Sequence, residues 1–313
     1  MAALTLPGRP AAPTDRLLPM PPEPTPPAAC ASALRVGAVR YLNSRPLIEG
    51  LDELLGNPCD DGCRLGGCGR VCRGGATLEL ELPSRLADGL AGGRLDAALV
   101  PSAAVLRSPG LAVIGDACVA SAGPVRSVKA YFRRPPGEVR TAALDEGSRT
   151  SAALLRVLLA ERFGVELDAR PLPIEATPAD AGTDVVLMIG DRAMHDPLGP
   201  FEAVWDLGEE WFRWTGLPFV FAVWAAADGA ELGPVPDALS AARDRGVAAI
   251  DAIAEREADG VGVGEGEAAA YLRRNLHFTL GPAEREGLTL FAELAVECGL
   301  LPSVPTLAVA EAA

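Results

Sequence analysis

A short apolar run that stops in a polar turn, followed by a helix-like stretch, recurs along this chain and narrows the possible folds more than any other feature. The first instance is Arg35-Val36-Gly37-Ala38-Val39, which reads as a strand and runs into Tyr41-Leu42-Asn43-Ser44-Arg45-Pro46-Leu47. Pro46 and Leu47 then open an amphipathic stretch that ends near Leu55. The buried strand 96–100 runs into Pro101-Ser102-Ala103-Ala104, and the strand 140–144 into Asp145-Glu146-Gly147-Ser148-Arg149-Thr150-Ser151. The strand 184–189 runs into Gly190-Asp191. Alternating strands and helices are the pattern of an α/β fold, and ligands in such folds gather outside the carboxyl ends of the strands. The polar turns are therefore the places to look for a site.

The rest of the chain fills in this outline. Residues 77–82 alternate polar and apolar as a strand does, and Pro83-Ser84 start a helix that Gly92-Gly93 end. Residues 127–132 and 217–224 are strand-like. Leu154, Leu155, Leu158, Leu159 and Phe163 repeat at helical spacing up to Gly164. From Asp237 the chain reads as helices, from Asp237 to about Glu257, 267–276 and 282–298. With 313 residues there is room for two medium domains. The expected architecture is two lobes with a cleft between them: 33–127 plus 225–313 in the first, 128–224 in the second. Domain interfaces are a usual place for small-molecule sites.

Composition restricts the partners. The net charge of −14 argues against nucleic acid and against an anionic membrane surface. It leaves room for an anionic substrate, because a local pocket can be positive inside an acidic protein. Hydrophobic content is 49% with only 5% aromatic, so the core is mostly Ala, Leu and Val. No run approaches the roughly 18 to 20 apolar residues of a membrane helix. The first 30 residues carry nine prolines, and residues 1–32 read as a disordered Pro/Ala-rich leader. They lack the apolar segment of a signal peptide, and Cys30 follows no apolar stretch. The expected location is the cytoplasm.

Residues 57–76 interrupt the α/β pattern as a Cys- and Gly-rich insert. Cys59, Cys63, Cys68 and Cys72 can hold one structural zinc ion tetrahedrally, although paired cysteines in zinc knuckles usually have two residues between them. Free thiols are another reading, and disulfides suit a reducing cytosol less. Four thiolates leave no open position, so catalytic metal is not expected there. Cys118 and Cys298 sit in apolar contexts and read as buried.

Among the turns, Ser148-Arg149-Thr150-Ser151 is the strongest anion site. A helix N-terminus presents free N–H groups and a positive dipole end, and three hydroxyls with a guanidinium suit a carboxylate or phosphate. Ordinary capping is the alternative. Asn43 can donate and accept but is no strong base, and Asn is also common in turns. Arg45 can pair bidentately with a carboxylate or lie exposed on the first helical turn. Ser102, Ser127, Gly190 and Asp191 stand at strand ends as substrate-binding candidates; turn-forming and capping roles are the alternatives. His195 and His277 have no metal-ligand spacing, and His277 lies among helical residues as a structural side chain. No Gly-x-Ser-x-Gly elbow, phosphate-binding loop or dinucleotide fingerprint is present.

Residues 36–47, with Tyr-Leu-Asn-x-x-Pro-Leu, resemble the opening of the chorismate dehydratases of the futalosine route to menaquinone. The resemblance continues through Leu82-Pro83-Ser84 with 95–102, through 145–151, and through Ile189-Gly190-Asp191, 206–208, Trp211, 215–222 and Trp224. The leader and the cysteine insert depart from that pattern. The resemblance implies a two-lobed fold like the type 2 periplasmic binding proteins. It implies conversion of chorismate to 3-[(1-carboxyvinyl)oxy]benzoate and water, with no cofactor for catalysis and with Asn43 as the catalytic residue. Two other readings stand beside it: a solute-binding protein for a small carboxylate, and the sister enzyme that acts on a cyclic futalosine. A cytosolic ligand sensor is disfavoured, because no DNA-binding module is attached.

Overall fold

The structure, a computed structural model, describes residues 33–56, 76–195, 199–304 and the short strand at 309–310. The 1–32 leader and Cys59, Cys63, Cys68 and Cys72 lie outside the described residues.

The first lobe opens with β1 (Leu34–Val39), a 3₁₀ turn (Leu42–Leu47), α1 (Leu51–Leu55), β2 (Ala76–Glu81), α2 (Pro83–Ala91), β3 (Ala97–Pro101), α3 (Ser102–Arg107) and β4 (Leu111–Ser121). The chain then crosses to the second lobe. That lobe holds β5 (Val128–Phe132), β6 (Thr141–Asp145), α4 (Thr150–Phe163), β7 (Asp168–Leu172), β8 (Val185–Ile189), β9 (Ala203–Asp206) and α5 (Leu207–Thr215). It returns along β10 (Phe219–Ala227) and ends in α6 (Val235–Ala248), α7 (Ile250–Val261), α8 (Glu265–Arg274), β11 (His277–Thr279), α9 (Pro282–Glu297) and β12 (Val309–Ala310). The larger sheet runs β11-β4-β10-β3-β1-β2 with β12 beside β4, and the smaller runs β7-β6-β8-β5-β9. In the larger sheet β1 pairs in parallel with β2 and β3, while β10 lies antiparallel between β3 and β4.

The expected α/β fold with two lobes is what the chain forms, but the lobe boundary differs. The 217–224 strand, placed in the second lobe on sequence, is β10 of the larger sheet. Its residues Phe219 to Ala226 are all buried, and a strand covered on both faces is apolar throughout. That composition does not say which sheet it joins. Three other expectations change. Strand β4 escapes pattern reading because its buried run is broken at Gly115-Asp116. The single helix expected from Asp237 to about Glu257 is two, α6 and α7, bent at Ala249 so that both pack on the Leu42–Leu47 turn. His277 belongs to β11, not to a helix, and its Nδ1 lies 3.0 Å from Glu284 Oε1.

The lobes share part of one core. Trp211 of α5 meets Phe219 of β10 edge-on at 5.2 Å and Phe291 of α9 at 6.2 Å. Such aromatic pairs are worth about 0.5–1.5 kcal/mol each beyond their burial. The first crossing is tied down by Asp206, whose carboxylate accepts from the N–H groups of Val125 (2.9 Å), Arg126 (2.6 Å), Gly208 (3.1 Å) and Glu209 (3.1 Å). Burial raises the pKa of this carboxyl above the ordinary carboxylate value, although the N–H donors pull it down. No helix among the described residues is long and apolar enough to cross a membrane.

Candidate active site

The Leu42–Leu47 turn is held from three sides. The Ser44 hydroxyl, fully buried, donates to the carbonyls of Val39 and Tyr41. Leu42 and Leu47 are buried anchors. From the second lobe, Asp191 Oδ1 accepts the Leu42 N–H at 2.9 Å. The expected amphipathic helix after Pro46 is instead the end of the 3₁₀ turn and the short α1.

Gly190 makes that interlobe contact possible. It adopts φ +72°, and a Cβ there would stand 2.7 Å from three ring atoms of Tyr41. The phenol ring therefore lies flat on the Gly190 backbone. Both the positive φ and the close approach require glycine.

Beneath the second-lobe turns sits a buried ion pair. Asp145, 1% exposed, accepts from Arg192 Nη2 at 2.6 Å and from the N–H groups of Gly147 (2.9 Å) and Ile189 (3.2 Å). This carboxylate joins the end of β6 to the end of β8. Helix α4 then starts at Thr150 with no side-chain cap on its first N–H groups.

These turns meet in one cleft of about 520 Å³, part of it open to solvent. Val39, Pro83, Pro101, Val119, Val128 and Phe221 form much of its apolar wall. Tyr41, Asn43, Ser127 and the Ser148–Ser151 turn supply the polar groups. Three polar atoms here are buried with no hydrogen-bond partner among the described residues: Asn43 Oδ1, Tyr41 Oη and Ser148 Oγ. Buried polar groups are normally paired, so the three unmet atoms mark where a ligand's polar groups fit. No Asp, Glu, His, Lys or Cys stands among the described lining residues, and Arg149 carries the one formal charge. Burial raises the Tyr41 phenol well above its ordinary pKa, so it stays protonated.

The candidates separate by position. Asn43, Ser127, Ser148, Arg149, Thr150, Ser151 and Gly190 line the cleft. Arg45, Ser102 and Asp191 do not. Arg45 pairs with Glu257 of α7 at 3.2 Å. Ser102, 1% exposed, donates to the Val220 carbonyl at 2.7 Å and lies 3.3 Å from the Thr150 hydroxyl, so it ties β10 and α4 to α3. Asp191 holds the Leu42 N–H. His195 Nε2 lies 3.0 Å from the Val261 carbonyl, on an exposed side chain. Two tyrosines at the site were not singled out from sequence. Tyr41 opens the signature itself. Tyr271 sits in α8, fully buried, and donates to Ser127 Oγ at 2.8 Å.

Asp191 gives a prediction with a sign. Burial raises its pKa, while the Leu42 N–H and Arg45 oppose the rise. A raised pKa means the folded state holds the proton more tightly than the unfolded one. The stabilisation from this group is thus full below the ordinary value near about 4 and is lost as pH rises through the raised value. Asp191→Asn should remove that decline. Asp191→Ala should cost about 1–3 kcal/mol by leaving the Leu42 N–H unpaired, and should lower turnover with it. Thermal melts of the two variants between pH 4 and 8 check both statements.

Comparison with known proteins agrees with this geometry. The fold resembles the periplasmic aliphatic sulphonate binding protein SsuA of Escherichia coli, with a TM-score of 0.56 at 15% identity over 88% of this chain and 90% of that one. It also resembles the alkanesulfonate-binding protein SsuA of Xanthomonas axonopodis pv. citri, with a TM-score of 0.58 at 16% identity over 91% and 100%. At such identities the likeness concerns the fold, that of the periplasmic solute-binding proteins. In sequence the chain is 33% identical to a chorismate dehydratase of Thermus thermophilus, over 68% of this chain and 84% of that protein. A profile of the family described as Menaquinone biosynthesis matches residues 34–297, a span that includes every cleft residue named above. The chain belongs to the menaquinone biosynthesis family.

Proposed function

We infer that this protein is a chorismate dehydratase, converting chorismate to 3-[(1-carboxyvinyl)oxy]benzoate and water. The observation that carries the reading is its relationship to the Thermus enzyme across two thirds of the chain. The cleft supports it with an apolar slot for a ring, an uncapped helix end with Arg149 for a carboxylate, and unmet polar atoms for a hydroxyl.

The reaction is an elimination that makes the ring aromatic. A ring C–H proton leaves, its electron pair becomes ring π-bonding, and the neighbouring C–O bond breaks. The hydroxide takes up one proton, and one water is released. The change is redox-neutral, so the proposal needs no cofactor. Aromatisation supplies much of the driving force, and the protein's task is to hold the ring and help the hydroxide depart. In this reading Arg149 and the first N–H groups of α4 take a substrate carboxylate. Asn43 meets the departing hydroxyl. The described lining offers no carboxylate or imidazole, which favours a substrate carboxylate as the base. In this reading the protein works in the cytoplasm.

The guanidinium of Arg149 now pairs with Asp88 of α2 at 2.6 Å, on a side chain that is 69% exposed. Exposed pairs are worth about 0–1 kcal/mol, so a substrate carboxylate can replace Asp88. Arg149→Ala should raise KM for chorismate about 10- to 100-fold, the loss of one charge-assisted hydrogen bond, with a smaller change in kcat. Steady-state kinetics read this. The reading as a whole is tested by offering chorismate and cyclic futalosine side by side. Consumption of chorismate alone supports it; consumption of the futalosine alone assigns the sister activity and overturns it.

A further inference from the structure

The crossing from β4 to β5 carries the one non-glycine residue with a positive φ among the described residues, Arg126 at φ +62°. Across it the Ser127 N–H donates to the Val125 carbonyl at 2.8 Å. A hydrogen bond from residue i+2 back to residue i, over a centre with positive φ, makes the rare and strained form of γ-turn. Such strain persists only where the surroundings over-determine it, and it gathers at functional sites. Both conditions are met here. Val125, Ser127 and Val128 line the cleft. The Ser127 carbonyl also accepts the Gly190 N–H at 2.9 Å, so the turn is joined to the opposite strand end.

Two elements hold the turn. Along one face of α8, at four-residue steps, Glu267 pairs with the Arg126 guanidinium, Tyr271 donates to Ser127 Oγ and Asn275 donates to the Pro124 carbonyl. The Glu267 pair is partly exposed, and such pairs are weak. The stronger hold comes from Asp206-Leu207-Gly208. Asp206 Oδ1 takes the N–H groups of Val125, Gly208 and Glu209, while Oδ2 takes the Arg126 N–H at 2.6 Å. Hydrogen bonds to an ionised acceptor are roughly twice as strong as neutral ones. Gly208 lets the crossing lie against the start of α5. A Cβ there would stand 2.5 Å from Ser121 Oγ and 2.7 Å from the Gly123 carbonyl oxygen.

We propose that Asp206 is a positioning residue: its Oδ2 holds Arg126 in the strained γ-turn, and the turn sets Val125 and Ser127 in the wall of the cleft. If Arg126 relaxes to an ordinary negative φ, the Ser127 peptide turns with it. The Ser127 hydroxyl then leaves its place in the cleft, and its carbonyl leaves the Gly190 N–H. Asp206 reaches the substrate only through this turn.

The kinetic part of the test rests on the dehydratase reading; the exchange and melting parts do not. Asp206→Asn keeps Oδ1 on its three N–H groups, so the start of α5 stays capped. Its NH₂ then faces the Arg126 N–H, donor against donor. With chorismate, kcat/KM should fall about 10- to 100-fold, the scale of a misplaced group. Protection of the Gly190 N–H from hydrogen exchange should drop at least about tenfold. Arg126→Gly added to Asp206→Asn should bring both to within about fivefold of the wild type, because glycine adopts the turn without strain. Arg126→Ala added instead should bring back neither. Both substitutions remove the pair with Glu267, so the difference between them reads the strain alone. Equal recovery with Gly and Ala overturns the proposal, as do wild-type turnover and Gly190 protection in Asp206→Asn. If Asp206→Asn does not fold, the single variants decide: Arg126→Gly should melt at least about 2 °C above Arg126→Ala, and equal melting temperatures overturn the proposal. A wild-type protein inert toward chorismate sinks the dehydratase reading, and exchange and melting then decide the role of Asp206.

Discussion

Asn43→Ala is expected to lower kcat for chorismate by about two to three orders of magnitude, the loss seen when one preorganised group at a transition state is removed. KM should move little, because Arg149 and the start of α4, proposed to take the substrate carboxylate, are untouched. Nor should the fold suffer. The Asn43 Oδ1 is buried without a partner, and deleting an unpaired buried polar atom is close to neutral for stability. The neighbours that shape the turn are Ser44, Leu42 and Leu47, not the Asn43 side chain. Kinetics together with a thermal melt check this. A variant that keeps its melting temperature and its chorismate affinity but loses turnover is the expected result. Full turnover would remove Asn43 from the mechanism.

The second large effect is Gly246→Ala, in the last turn of α6. In an ordinary helix interior this change stabilises by up to about 1 kcal/mol. Here the sign should reverse. A Cβ on Gly246 would stand 2.0 Å from the Pro46 carbonyl oxygen and 2.5 Å from the Pro46 Cα and carbonyl carbon. All three are backbone atoms of the turn that carries Asn43, so no side chain can swing away. Either α6 retreats or the turn shifts. Overpacking typically costs about 1–3 kcal/mol and sometimes more; a backbone-to-backbone clash belongs at the upper end. The melting temperature should fall by roughly 5–10 °C, and turnover should fall with it as Asn43 is displaced. A higher melting temperature would show that α6 does not press on the turn.

The sequence made the strand-end turns legible because each is a local pattern: an apolar run, a polar cluster, a helix start. That is why Asn43, Ser148, Arg149, Thr150, Ser151 and Gly190 come together in the cleft. What the pattern could not carry was tertiary. Arg45 looks available to a carboxylate until α7 brings Glu257 to it. Ser102 looks like a ligand group until β10 places the Val220 carbonyl beside it. Asp191 stands at a strand end and acts on the other lobe, through the Leu42 N–H. Tyr271 had no local signal at all, because a tyrosine on the buried face of a helix reads as core. The assignment of β10 to the first lobe rests on pairing with β3 and β4, which no local pattern reveals.

The most direct measurement of the central claim is the product of chorismate incubated with the purified protein, followed over time by mass and ultraviolet spectrum. The account predicts that chorismate disappears and an aromatic product lighter by one water rises in equal amount, with the reaction all but absent in Asn43→Ala. Chorismate that binds to the cleft and is recovered unchanged would contradict it and leave a binding protein in the enzyme's place.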